Sequence, residues 1–386
     1  MPVPFNVPPT ILVGGGASRE VGAQAKRFNP KGVLLVTDTF MVQSGAAGRI
    51  RSDLEKEAIT CSVFSGVHPD PTDQDVLRGL KQYQEDPCDM VVALGGGSPL
   101  DAAKVISVLV HNERPMSRYA GYHQVPKPGV PLIVIPTTAG TGSEVTKVAV
   151  IADTKRDVKM MMLDVNLMAD VALVDYEFSL TMPPDLTAHV GVDTLVHAIE
   201  AYVSKKANPM TDPIALSCIS LVADHLLTAQ KEPENREARE GMMLASCQGG
   251  MAFANSSVCL VHGMSRPIGA LYHVPHGLSN AVLLPTVTAY SIPGAPDRYA
   301  VIARTMGYAS DRDSNERACS ALISGLQALN DTLNIPRLGP CVKVDRAGFD
   351  KKVEKMARDG LSSGSPDNNP VVPDVAHIVD LYHRAW

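Results

Sequence analysis

The stretch Met90-Val-Val-Ala-Leu-Gly95-Gly96-Gly97-Ser98 decides the fold of this 386-residue chain. Its apolar first half predicts a buried strand, and its glycines lead directly into a helical pattern that runs from Pro99 to about His111. A strand that passes through a glycine turn into a helix is the repeating unit of a parallel α/β sheet. We therefore expect such a sheet around this stretch.

The same alternation of strand and helix extends to both sides of this unit. Further strands are predicted at 32–37, 60–64 and 132–136, with helical patterns reaching to about residue 57 and from 73 to 85. Two later strands, at 147–151 and 172–174, flank residues 153–159, which we interpret as a hairpin and loop. Residues 1–181 are thus predicted to form an α/β domain with a doubly wound, mostly parallel sheet.

The second half of the chain has a different pattern, which begins after Met182-Pro-Pro184. Its long Ala-, Leu- and Met-rich segments have helical spacing and show no comparable strand runs. The predicted helices cover residues 184–227, 238–254, 276–290, 296–306, 316–333, 346–357 and 374–384. Asp374 is the expected N-cap of the last one. We predict an all-α domain over residues 182–386.

The composition excludes several classes of protein. A net charge of −6 gives no basic surface for nucleic acid. Apolar runs such as 105–110 are shorter than the ~20 residues of a membrane span, and the N-terminus lacks a signal-peptide pattern. The seven cysteines are scattered and never form C-x-x-C, which indicates reduced thiols in a cytoplasmic protein.

The glycine turn has the chemistry of a phosphate site. Gly95, Gly96, Gly97 and Ser98 follow a strand and open a helix, so their backbone N–H groups can approach a pyrophosphate at the helix N-terminus. The turn matches neither G-x-G-x-x-G nor a Walker A sequence, and a tight connector is the alternative interpretation.

A carboxylate at the end of an earlier strand bears on the choice of cofactor. Asp38 follows the strand at 32–37, where it can accept hydrogen bonds from an adenine ribose and would repel a 2′-phosphate. Alone it would read as a helix N-cap. Beside the glycine turn it favours NAD over NADP.

The segment after the 132–136 strand is rich in hydroxyl groups and glycine. Thr137, Thr138, Thr141 and Ser143 lie where a ligand crosses a doubly wound sheet, although a polar turn that caps a helix would look similar. Lys159 can approach the nicotinamide ribose or a phosphate, and the ordinary alternative is a solvated surface lysine.

Four side chains of the second half suit a metal ion: Asp193, His197, His262 and His276. Asp193 and His197 are four residues apart, so on a helix they project from one face. One carboxylate with imidazoles suits Fe2+ or Zn2+ and suits Ca2+ or Mg2+ poorly. A salt-bridged helix face with isolated histidines is the alternative.

Taken together, these motifs resemble the iron-containing (group III) alcohol dehydrogenases, a family that includes lactaldehyde reductases and 1,3-propanediol dehydrogenases. The resemblance runs from Pro8 to the terminal helix and is most specific at 95–104, 135–145, 191–202 and 262–280. It implies a dinucleotide-binding domain, a helical domain and an active site in the cleft between them.

The resemblance also implies roles for particular positions. Fe2+, sometimes Zn2+, would sit on the four metal-site positions, and the NAD pyrophosphate on residues 95–98 with Asp101 nearby. The hydroxyl-rich segment and Lys159 would lie beside the cofactor, and an acid at Asp38 would favour NAD. Dimers or higher homo-oligomers whose N-terminal strands pair are implied as well.

One position departs from the family. Many members carry a second histidine four residues after the third metal ligand, where this chain has Arg266. An arginine stays charged and cannot relay protons near neutral pH. Either the relay is unnecessary, or His273 substitutes for it. Arg266 can instead hold an anionic substrate group, or pair with a nearby acid or cofactor phosphate.

The resulting prediction is a metal-dependent dehydrogenase that exchanges a hydride between NAD(H) and a small primary alcohol, diol or aldehyde. One alternative is an oxidoreductase for anionic substrates, such as a hydroxyacid-oxoacid transhydrogenase or a semialdehyde reductase. A lyase similar to 3-dehydroquinate synthase and a non-catalytic oligomer component are the others.

Overall fold

The computed structural model of the protein describes residues 2–156 and 158–386. They form two compact units, which are residues 6–181 and a second unit made of residues 182–386 with the N-terminal residues up to Phe5. The α/β fold predicted for the first half and the helical fold predicted for the second half are both confirmed.

Most strands of the first unit join one parallel sheet. In chain order the strands are β1 (Thr10–Val13), β2 (Gly32–Val36), β3 (Thr60–Phe64), β4 (Met90–Gly95), β5 (Gly121–Tyr122), β6 (Leu132–Pro136), β7 (Val148–Asp153), β8 (Val158–Leu163) and β9 (Val171–Val174). Within the described residues, six strands form the parallel sheet in the order β1-β9-β6-β4-β2-β3. The other three form a small sheet in the order β5-β8-β7.

The centre of the parallel sheet is apolar on both faces. Strands β2, β4, β6 and β9 are buried at every position, as expected for parallel strands that helices cover on both sides. The helices of this unit are α1 (Val21–Lys26), α2 (Thr39–Gln43), α3 (Ala46–Lys56), α4 (Asp73–Glu85) and α5 (Gly97–Leu109). Gly95 of β4 pairs with Pro136 of β6, so the glycine turn and the hydroxyl-rich segment leave the sheet side by side.

The described part of the second unit is helical. Its helices are α6 (Pro184–Val203), α7 (Thr211–Lys231), α8 (Arg236–Ala254), α9 (Leu260–Tyr272), α10 (His276–Ser291), α11 (Pro296–Thr305), α12 (Asn315–Thr332), α13 (Leu338–Val342), α14 (Arg346–Ser362) and α15 (Val375–Ala385). Asp374 caps α15, as predicted, by accepting a hydrogen bond from the His377 N–H at 2.8 Å.

Some predicted boundaries were wrong. The single helix expected over 184–227 is two helices, because the chain leaves helical geometry between Ser204 and Met210. Strand β8 begins at Val158, within the segment interpreted as a hairpin and loop, continues to Leu163, and pairs antiparallel with β7. Its residues 160–163 are all apolar and do not alternate with polar residues, so the sequence pattern did not mark this strand. Helix α9, which contains Pro267, was not predicted either.

Within residues 2–156 and 158–386, one helix, α7, is long and apolar enough to cross a membrane by length and composition alone. A search of the sequence for uninterrupted apolar runs alone does not identify this helix. Helix α7 packs against α6 and α8, and its face of Cys218, Val222 and Leu226 is buried. A core helix of a globular unit passes the same test, so this finding is weak evidence for a membrane span.

Candidate metal and cofactor sites

Helix α6 carries three metal-type or acidic side chains on one face. Asp193, His197 and Glu200 follow each other at intervals of four and three residues, which places them one above another along the helix. All three are almost fully buried. Sequence reasoning identified the first two and missed Glu200, although the helical spacing already pointed to it.

The start of helix α9 is held by Glu200. The Glu200 carboxylate accepts hydrogen bonds from the Cys259 N–H at 2.7 Å and from the Val261 N–H at 2.6 Å. Its Oε2 atom also lies 2.7 Å from Nδ1 of His262. Cys259 makes no side-chain cap of its own. A carboxylate from α6 therefore fixes both the first turn of α9 and the ring of His262.

Three of the predicted ligands converge. Among the described residues, one ligand atom each of Asp193, His262 and His276 lie within 4.8 Å of one another. Asp193 Oδ1 is 3.8 Å from His262 Nε2. His276 opens helix α10 and is the exposed member of the group.

Asn280, one turn after His276, lies at the centre of this group. Its Nδ2 is 2.5 Å from Asp193 Oδ1, 3.3 Å from His262 Nε2 and 3.2 Å from His276 Nε2. Its Oδ1 is buried and has no hydrogen-bond partner among the described residues. The acceptor atoms of all three ligand side chains thus face one point.

His197 lies beside this group rather than within it. Its ring stacks on His262 with 4.7 Å between the ring centroids, and its other face stacks on Phe253 at 4.4 Å. His197 is buried like Asp193. Its assignment as the fourth ligand stays a prediction.

The electrostatics of His262 suit metal binding. Burial lowers the pKa of His262 well below its ordinary value, so the ring is neutral. Burial also raises the pKa of Glu200 to about 7, against the hydrogen bonds from the Cys259 and Val261 backbone. A neutral imidazole whose second nitrogen meets a carboxylate is the usual form of a metal-ligating histidine. One carboxylate and neutral imidazoles around one point fit Fe2+ or Zn2+.

Arg266 and His273 lie further along α9. Arg266 is one turn after His262, is half-buried, and donates a hydrogen bond from Nη1 to Ser365 Oγ at 3.0 Å. His273 is exposed and ends the helix with a left-handed backbone, φ 54°. It is outside the group of three ligands found among the described residues. Their catalytic roles stay predictions.

The glycine turn of the first unit is closely packed. A Cβ at Gly95, where φ is 152°, would lie 2.5 Å from Pro99 Cγ. A Cβ at Gly97 would lie 3.2 Å from Thr141 Cγ2, and one at Gly96 would lie 3.4 Å from Thr138. The hydroxyl-rich segment therefore lies directly against the turn, and Gly96 opens α5 without a side-chain cap. This arrangement suits a phosphate at the helix N-terminus.

Other predicted cofactor residues bind protein groups. Thr137 is buried, and its N–H donates to the Gly95 carbonyl at 2.9 Å. Asp101 accepts hydrogen bonds from Ser143 Oγ at 2.7 Å and from the Val150 N–H at 2.9 Å. These contacts hold the hydroxyl-rich segment against α5. A direct role of either side chain at the cofactor stays a prediction.

Two buried charged residues of this region were missed by sequence reasoning. Lys104 is fully buried, and its ammonium donates to Ser143, Thr146 and Val148. Glu144 is 1% exposed, and neither of its carboxylate oxygens has a hydrogen-bond partner among the described residues. Burial raises the pKa of Glu144 to about 7, against the opposing charge of Lys104. An i, i+3 relation between Asp101 and Lys104 was the available signal.

Asp38 and Lys159 have ordinary partners in the structure. Asp38 Oδ1 accepts a hydrogen bond from the Met41 N–H at 2.9 Å and so caps α2, which was the alternative interpretation of this residue. Lys159 Nζ lies 2.6 Å from Asp70 Oδ1, and both side chains are exposed. Neither contact decides whether the residue meets a cofactor.

Comparisons with known proteins cover the whole chain. The family model described as "Iron-containing alcohol dehydrogenase" matches residues 8–176, and that of the "Fe-containing alcohol dehydrogenase family, C-terminal" matches residues 187–386. The NAD-dependent methanol dehydrogenase of Bacillus methanolicus is 35% identical over 99% of each chain. A solved 1,3-propanediol oxidoreductase is 34% identical over the full length of both chains, with a TM-score of 0.97. The sulfoacetaldehyde reductase of Bifidobacterium kashiwanohense, solved with NAD+, is 28% identical over 100% of this chain and 99% of its own, with a TM-score of 0.89. This chain belongs to the iron-containing alcohol dehydrogenase family.

Proposed function

We propose that this protein catalyses reversible hydride transfer between NAD and a small primary alcohol, diol or aldehyde. The observation that carries the proposal is the convergence of Asp193, His262 and His276 on one point, within a chain of this family. His197, stacked on His262, is proposed as the fourth ligand of a divalent Fe2+ or Zn2+ ion. When bound, such an ion supplies a Lewis acid that lowers the pKa of the alcohol.

The remaining chemistry falls to groups of the chain. Asp193 supplies the negative charge of the ligand set, and Glu200 keeps His262 oriented. The buried ring of His197, with Phe253 stacked on it, excludes water on one side of the ligands. Exclusion of water strengthens electrostatic interactions at the reacting atoms. His273 is proposed to carry the alcohol proton towards solvent, because it is exposed and lies on the same helix as His262.

We propose NAD as the cofactor on the first unit. The turn from Gly95 to Ser98 provides the pyrophosphate site, and Thr138 and Thr141 line it. Asp38 is proposed to meet the adenine ribose and to repel a 2′-phosphate, since the hydrogen bond that caps α2 is accepted by Oδ1. The methanol dehydrogenase similar to this chain is described as NAD-dependent, which supports this choice.

A second candidate function rests on Arg266. Its guanidinium lies one helical turn from His262, and a planar fork of N–H donors suits carboxylates and sulfonates. A relative of this chain, described as a sulfoacetaldehyde reductase, acts on an anionic aldehyde by its name. The alternative is therefore a dehydrogenase for short anionic substrates.

NADH formation over a panel of substrates separates the two functions. Metal-loaded protein would be tested with primary alcohols, 1,2- and 1,3-diols, hydroxyacids and a hydroxysulfonate. Turnover of neutral alcohols that the Arg266→His variant retains supports the first function. Turnover confined to anionic substrates, and lost in the variant, supports the second. Absence of turnover with every substrate, despite bound NAD and metal, would refute both.

We also propose a homodimer or higher homo-oligomer in the cytoplasm. Strand β1 is an edge strand of the parallel sheet, and Val13 at its end is 46% exposed. An exposed strand edge offers unpaired N–H and C=O groups to a second copy of the chain. The seven cysteines are free, which suits a reducing compartment.

A further inference from the structure

Glu200 is a buried acid near the ligand group, and its carboxyl group contacts three nitrogen atoms. It lies seven residues after Asp193 on α6 and is 3% exposed. Its carboxyl group accepts hydrogen bonds from the backbone N–H groups of Cys259 and Val261 at the start of α9, and lies against Nδ1 of His262. These distances, between 2.6 and 2.7 Å, are those of charge-assisted hydrogen bonds.

This contact bears on which nitrogen of His262 carries the proton. In its ionised form, in which its two oxygens accept the backbone hydrogen bonds of Cys259 and Val261, Glu200 can only accept, so the proton of the neutral ring lies on Nδ1, which faces Glu200. Nε2 is then left with a lone pair. That lone pair faces Asp193 Oδ1 at 3.8 Å and the side of the ring where His276 lies.

The same carboxylate also determines where the His262 backbone sits. Helix α9 has no N-cap side chain of its own and contains Pro267, so its start depends on a partner from elsewhere in the chain. The two backbone hydrogen bonds to Glu200 supply that partner. Glu200 therefore couples the position of α9 to the helix that carries Asp193.

We propose that Glu200 is a positioning residue for the metal site. It holds His262 in the ligating tautomer, with Nε2 facing Asp193 and His276. The inference rests on the metal site proposed above. It predicts that a change at Glu200 alters metal affinity and ligand geometry. Removal of such an outer partner of a metal-ligating histidine typically lowers metal affinity ~10- to 100-fold.

A matched control at Asp175 distinguishes the proposed role of Glu200 at the metal site from a purely structural role. Asp175 is also a fully buried carboxylate that caps backbone N–H groups, those of Gly16 and Ser18, and the contacts it makes are to no histidine. It lies in the other unit of the protein. Asp175→Asn and Glu200→Gln therefore both replace a buried carboxyl group that accepts backbone hydrogen bonds by its amide.

The test is binding of Co2+ to chelator-stripped protein. Titration calorimetry measures the affinity, and the visible absorption spectrum of the bound ion reports its ligand geometry. We expect Glu200→Gln to weaken Co2+ binding ~10- to 100-fold and to change the spectrum, and Asp175→Asn to change neither. Unchanged affinity and spectrum in Glu200→Gln would overturn the inference. Failure of the unsubstituted protein to bind Co2+ would instead refute the metal site itself.

A second measurement needs no variant and no metal. In protein labelled with 15N-histidine, the ring nitrogen shifts show which nitrogen of His262 is protonated, and a His262→Asn sample assigns the signals. A proton on Nδ1 supports the inference even if Glu200→Gln does not fold. A proton on Nε2 in the metal-free protein would overturn it.

Discussion

Glu144 is a buried carboxyl group without a hydrogen-bond partner among the described residues, and its ionisation should destabilise the fold. Burial raises the pKa of Glu144 from 4.5 to about 7. Between these two values the folded protein holds a proton that the unfolded chain has already lost. Stability should therefore fall as the pH rises through this window, and the loss should persist above pH 7.

The size of this effect follows from the change in pKa. A rise from 4.5 to about 7 corresponds to a cost of about 3 kcal/mol once Glu144 is ionised, at 1.36 kcal/mol per pKa unit. Glu144→Gln keeps the shape of the side chain and cannot ionise. We expect the variant to exceed the original protein in free energy of unfolding by about 3 kcal/mol at pH 8 and by less than about 1 kcal/mol at pH 5. Lys104 keeps its oxygen acceptors in the variant.

Urea unfolding of the metal-free protein at pH 5 and pH 8 measures this difference directly. Glu240→Gln, at an exposed position of α8, controls for the loss of one negative charge. A Glu144→Gln advantage that is independent of pH, or a variant less stable than the original at pH 8, would refute the reasoning. The same result for Glu240→Gln would show that net charge, and not burial, is responsible.

Three further substitutions test other parts of the site. Asp38→Ser keeps an oxygen that can cap α2 but removes the charge, so kcat/KM with NADP+ should rise relative to that with NAD+ while Tm changes little. Asp38→Ala should in addition lose about 1 kcal/mol of stability. An unchanged cofactor preference in both variants would contradict the role of Asp38 at the ribose. Gly95→Ala places a Cβ 2.5 Å from Pro99 Cγ at a position with positive φ, so the Kd for NADH measured by fluorescence should rise and Tm should fall. An unchanged Kd would show that the turn does not bind the cofactor. His273→Asn should shift the pH profile of kcat if this exposed histidine passes the proton to solvent, and an unchanged profile would remove it from the mechanism.

The sequence was sufficient for the α/β sheet because its strands are continuous apolar runs, such as β4, followed by glycine or helical patterns. It also pointed to Asp193, His262 and His276, which the structure brings together, whereas their role as metal ligands and that of His197 stay predictions. Interactions distant in sequence were beyond it. Helix α9 begins where Glu200, 59 residues before Cys259, supplies the cap, so no local signal marks that start.

Burial without a partner is equally invisible in a sequence. Glu144 follows Ser143 in a polar segment, which predicts an exposed loop residue. In the structure Glu144 is buried, and its carboxyl group interacts electrostatically with Lys104. Strand β8 depends on its pairing with β7, because its apolar residues 160–163 lack the alternation with polar residues that would predict a strand. In each case the environment, and not the local residue pattern, determines the outcome.

We propose a catalytic divalent metal held by Asp193, His197, His262 and His276. Titration of Fe2+ into anaerobic, chelator-stripped protein, with bound metal and NAD+-dependent alcohol oxidation measured on the same samples, tests it most directly. Activity should rise in proportion to bound metal and level off at one ion per chain, and His262→Asn should lose both binding and activity. Full activity in the stripped protein, or activity in His262→Asn equal to that of the original, would contradict the account.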